Sequence, residues 1–149
     1  MSLARLLSDQ QKRLDELVAL LSREQTLLTP GDIDGEALAN IAEDKQVLLT
    51  EIERIEMLRR SVQTRLGYED SAKGASAAAQ DAGCQTAWAT LLEKSERVAR
   101  MNELTGQMLS VRMKHNQDML NYIRQIAEKT LYKPDGRNNA QSGRINASA

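Results

Sequence analysis

Three stretches of the chain place apolar residues at alternating spacings of three and four. In residues 2–28 the row is Leu3, Leu7, Gln10, Leu14, Leu17, Leu21, Glu24 and Leu28. That alternation is a heptad seam, and it predicts an amphipathic helix. Leu6, Val18 and Leu20 widen the stripe, which suits a bundle better than a two-stranded coil. Ser2 is placed to cap the start. Thr29-Pro30-Gly31-Asp32 ends the helix, because Pro and Gly disfavour its continuation.

A second seam fills residues 35–66: Leu38, Ile41, Lys45, Leu48, Ile52, Ile55, Arg59, Val62 and Leu66. Asp32 or Asp34 supplies the cap, Glu36 suits the positive helix N-terminus, and Gly67 is a natural C-terminal stop. The short link before it implies an antiparallel hairpin with the first helix. Residues 68–83 (YEDSAKGASAAAQDAG) have no periodic apolar face and read as a flexible linker. The alternative is that Ala75 to Ala82 extends the next helix backwards, which alanine permits.

The third helix is expected over residues 84–131. It opens with an ordinary core stripe of Trp88, Leu91, Leu92 and Val98. From Met101 it becomes apolar on more than one face. One row is Met101, Leu104, Met108, Val111, His115, Met119, Tyr122 and Ile126; another is Leu109, Met113, Leu120, Ile123 and Ala127. At about 1.5 Å per residue this helix would be roughly 70 Å long, against roughly 40–50 Å for the other two. A hairpin cannot cover all of it, so part of its apolar surface must face a partner chain or a second copy. The expected fold is therefore all-α. Three long antiparallel helices form a bundle or coiled-coil hairpin with an overhanging third helix, in a single domain over 1–131. Residues 132–149 (YKPDGRNNAQSGRINASA) read as a disordered tail.

Composition supports that class. The 149 residues hold 20 Leu against 12 Ile plus Val, 18 Ala, two Pro and no Phe, which is poor material for a sheet. Twenty basic and 21 acidic residues give a net charge of -1, without the basic excess of a general nucleic-acid binder. A single Cys, Cys84, allows no internal disulfide and no Cys-based zinc site, and a single His, His115, allows no His pair. No secretory signal or membrane span is legible, so a cytoplasmic protein that does not insert into membranes is expected.

Little in the sequence suggests catalysis. Carboxylates such as Glu51, Glu53 and Glu56 alternate with Arg54, Arg59 and Arg60, as surface ion pairs do. Lys45 and Arg59 sit on the seam of the second helix; inward-facing cations would suit a small all-helical enzyme of the chorismate-mutase type, but polar seam residues commonly tune register. No cofactor is expected. Gly106 stands alone within a helix, either as a tolerated weakness or as a point of close helix approach. Around it lie Met101, Met108, Met113 and Met119, four of the six Met residues. Methionine is flexible and polarizable, and it suits a face that receives more than one apolar partner helix. Tyr132 ends the third helix before Pro134 and Gly136, where it could serve as a docking anchor or pack in a core.

The stretch from Met101 to Leu109 (MNELTGQML) resembles the N-x-x-N-G-x-L stretch of FlgN-like flagellar export chaperones. Leu131-Tyr132-Lys133-Pro134-Asp135-Gly136-Arg137 resembles the terminal Y-G-P-D-G motif of that family. Thr105 stands where the family often has Asn, and Lys133 replaces the Gly after Tyr132. The resemblance implies a non-enzymatic cytoplasmic chaperone of flagellar type III export. Its partners would be the C-terminal helices of the hook-associated proteins FlgK and FlgL and the export-gate protein FlhA. On this reading Met101, Asn102, Leu104, Gly106, Met108, Val111, Met119 and Tyr122 meet the client helix, and Tyr132 docks on the gate. The alternative from the residues alone is a coiled-coil adaptor or homodimer in which the third helix pairs with itself.

Overall fold

A computed structural model describes residues 2–131, and every regular element among them is helical. The helices are α1 (Leu3–Leu27), α2 (Gly35–Arg65), α3 (Ala72–Asp81) and α4 (Gln85–Leu131). The tail expected at 132–149 lies outside the described residues. The chain divides into two compact units, one ending at Gly106 and the other beginning at Gln107.

Local chemistry sets the helix ends. The Ser2 hydroxyl accepts from the Arg5 amide and the Asp34 carboxylate from the Ala37 amide, each satisfying a donor that the first turn leaves free. At the end of α2 the Tyr68 amide donates to the Gln63 carbonyl and Gly67 adopts a φ of 91°. This left-handed stop favours glycine, as expected from the sequence.

In the first unit α1 and α2 pair as an antiparallel hairpin, in which Gln10 meets Glu56 and Glu24 meets Lys45. The α4 portion of this unit runs parallel to α1: Gln11 donates to the Ala87 carbonyl, Lys94 pairs with Asp15, and Gln25 reaches Met101 and Thr105. The result is an up-down-up bundle. One core cluster gathers Leu3, Leu7, Leu14 and Leu91 with Ala78, Ala79 and Cys84. A second holds Leu17, Leu21 and Leu48, with Met101 packed against it.

The 68–83 stretch departs from the sequence reading. It is neither a flexible linker throughout nor a backward extension of the next helix. Ser71 caps α3 by accepting from the Gly74 amide. At its other end Gly83 takes a φ of 72° and the Cys84 amide donates to the Ala79 carbonyl, so α3 stops before α4 begins. Ala75, Ala78 and Ala79 are buried. Their small side chains let a helix without large apolar residues press closely on the bundle, where a scan for bulky periodicity does not register it.

Candidate functional site

Each polar seam residue has a polar partner. Lys45 Nζ lies 2.9 Å from Glu24 Oε1. Arg59, buried, binds both oxygens of Glu56 at 2.6 and 2.9 Å, donates to Gln63 Oε1 at 2.7 Å and stacks 5.0 Å from the centroid of Trp88. Burial pushes the Glu56 carboxyl upward, but hydrogen bonds from Arg59 and Gln10 outweigh it and hold the group below its usual value. These cations are therefore engaged in holding the bundle together. Among the described residues no group of His, Cys, Asp and Glu is arranged to hold a metal ion. Cys84 is a buried free thiol and His115 is exposed.

The row expected to bind a partner is distributed over both units. Met101 is half-buried against Leu17, Leu21 and Leu48, and its carbonyl accepts from Thr105 and Gln25. Its side chain serves the bundle of the first unit. Asn102 and Leu104 are exposed. Gly106 has open space where a Cβ would project, so no described neighbour makes the close approach that the sequence suggested. Thr105, not singled out from the sequence except as a departure from a motif, is buried: Gln25 donates to its hydroxyl, which in turn donates to the Met101 carbonyl.

The second unit, described by itself, is helical from Gln107 to Leu131. Met108 is half-buried, while Val111, Met119 and Tyr122 are 66%, 48% and 61% exposed. The other row is exposed as well, through Leu109, Met113, Leu120 and Ile123. Isolated exposed apolar residues are ordinary; a continuous helical face of them marks an interaction site. Tyr132, the residue expected to dock elsewhere, lies outside the described residues.

The first unit carries another concavity. Ala19, Leu20, Val47 and Leu48 floor a groove of about 490 Å³ between α1 and α2, edged by Arg13, Arg23, Asp44 and Glu51. The sequence signal for it is Val47, an apolar residue off the seam. No described helix is long and apolar enough to cross a membrane.

Comparison with known proteins points the same way as the motifs. The family model described as FlgN protein matches residues 1–140. The "Flagella synthesis protein FlgN" of Salmonella typhimurium strain LT2 is 28% identical over 136 residues, covering 90% of this chain and 88% of that protein. Its namesake in Escherichia coli strain K12 is 27% identical over 134 residues with the same coverage. That of Proteus mirabilis is 26% identical over 127 residues, covering 85% of this chain and 83% of the relative. No solved structure matches. A helical chain whose family match runs through the bundle, the exposed stretch of α4 and the tyrosine motif beyond it belongs to the FlgN family.

Proposed function

We propose that this chain is a cytoplasmic chaperone of flagellar synthesis that holds the C-terminal amphipathic helices of the hook-associated proteins FlgK and FlgL. It keeps them from assembling early and brings them to the type III export gate, where Tyr132 docks on FlhA. The observation that carries the reading is the exposed apolar face of the second unit, with Val111, Met119 and Tyr122 on one side of the helix. Met108 continues that face; Asn102, Leu104 and Gly106, exposed in the first unit, are proposed as further client contacts. Met101 contributes by fixing α4 against the α1–α2 hairpin.

A segment that packs as a coiled coil after assembly exposes an apolar stripe beforehand. Covering about 600–800 Å² of it yields a gross ~15–20 kcal/mol. Ordering and association costs remove much of that, leaving moderate affinity that permits release. The flexible methionines suit a surface that accepts two related helices in turn.

Two variants test the separate roles. Met119→Glu combined with Tyr122→Glu is expected to abolish binding of FlgK and FlgL segments while helicity by circular dichroism is retained; undiminished binding rules out this face. Tyr132→Ala is expected to keep client binding and weaken association with FlhA; unchanged FlhA affinity removes that role. Sedimentation separates the alternative, because a tight dimer that buries the same face would make the protein a self-pairing adaptor.

A further inference from the structure

The apolar surface of the second unit is wider than one neighbouring helix covers. At about 100° per residue, Val111, Met119, Tyr122 and Ile126 fall within about 40° of a common direction. Leu109, Met113, Leu120 and Ile123 form a second row about 120° around the helix from the first. Every one of these eight side chains is more than two-fifths exposed. Ser110, Lys114, Gln117, Asn121 and Gln125 occupy the remaining arc. An amphipathic helix that packs on one neighbour needs a single stripe about 100° wide. Here the two rows together span about 200° of the helix, twice the width of the stripe that one neighbour covers.

We propose that this unit receives two partner helices at once, one on each row, so that the client it recognises is a two-helix segment and not a lone helix. The inference rests on the chaperone reading above and specifies its client. Charge separates this occupant from a second copy of the chain. Over residues 107–125 three cations, Arg112, Lys114 and Arg124, accompany one anion, Asp118. Self-pairing brings this cationic surface against itself, whereas amphipathic helices with acidic flanks complement it.

The test is a titration of full-length FlgK with the whole chain and with two double variants. Val111→Glu with Met119→Glu disables the first row; Leu120→Glu with Ile123→Glu disables the second. All four sites are exposed in the helix, so helicity is expected to persist in both variants. Each variant is expected to weaken binding at least tenfold, with a one-to-one complex in the wild type. If the second-row variant binds FlgK with wild-type affinity while the first-row variant fails, the client uses one seam; the two-helix inference falls and the chaperone reading stands. A two-to-two complex whose dimerisation is lost with the second row assigns that row to a second copy and likewise overturns the inference. Absence of wild-type binding overturns the chaperone reading itself.

Discussion

Gln25 near the end of α1 and Thr105 of α4 are 80 positions apart, and their side chains meet at 3.0 Å. The same Gln25 amide also reaches the Met101 carbonyl at 3.3 Å, and the Thr105 hydroxyl donates to that carbonyl at 2.8 Å. One amide and one hydroxyl thus tie the far end of the hairpin to α4 immediately before the first unit ends at Gly106. Met101 is held in the bundle by this arrangement.

Thr105→Val keeps the shape of the side chain and removes its hydroxyl, leaving Gln25 one partner short. A loss of about 1 kcal/mol in the stability of the first unit is expected. Urea unfolding followed by Trp88 fluorescence reports it, and an unchanged midpoint would mean that the contact contributes nothing.

Arg59 is the most connected polar residue of the seam. Arg59→Ala leaves Glu56 and Gln63 without their shared partner and strips the cation from the face of Trp88. Because Glu56 is partly exposed, the expected cost is about 2–3 kcal/mol, below that of breaking a fully buried pair. Arg59→Lys is expected to recover little of it, since a point cation cannot bind two oxygens side by side and also stack. The two midpoints under denaturant decide this.

Acid should weaken the first unit through Glu56. Its folded-state carboxyl is held below its ordinary value, so its contribution is present above the unfolded pKa and is lost as pH falls through the folded one. Stability is expected to decline below about pH 4.3. Glu56→Gln should flatten that decline, whereas Asp70→Asn, which breaks only an exposed pair with Arg60, should change it much less. Thermal unfolding across pH 3 to 6 compares the three proteins.

Gly74 stands where a Cβ would collide with the Glu69 carbonyl. Gly74→Ala must push α3 away from the loop that enters it. A destabilisation of about 1–3 kcal/mol is expected despite alanine's better helix propensity. Calorimetric melting checks the sign: a gain in stability would mean that the close approach relaxes freely.

The sequence was most informative where large apolar residues keep a strict period. Leu7, Leu21, Leu48 and Ile55 are buried where their seams placed them, and Asp34 and Gly67 mark the expected ends of α2. The seam's polar members were legible as exceptions, but not as pairs, because Glu24–Lys45 and Gln10–Glu56 depend on the register of two helices. Helix α3 escaped because alanine is nearly silent in a scan for hydrophobic period, and its burial comes from closeness of approach. The methionine row read as one continuous face. Met101 in fact belongs to the bundle, since the end of α1 reaches as far as Thr105 and covers it. Sequence spacing shows which residues share a face, but not where a neighbouring helix ends.

The central claim is that the apolar face beyond Gly106 captures a client helix, and calorimetric titration with the C-terminal helical segments of FlgK and FlgL tests it most directly. Saturable binding with a negative heat-capacity change, abolished by Met119→Glu with Tyr122→Glu, is the expected result, since burial of apolar surface carries that thermal mark. Binding of neither segment, or binding that survives the double substitution undiminished, would contradict it.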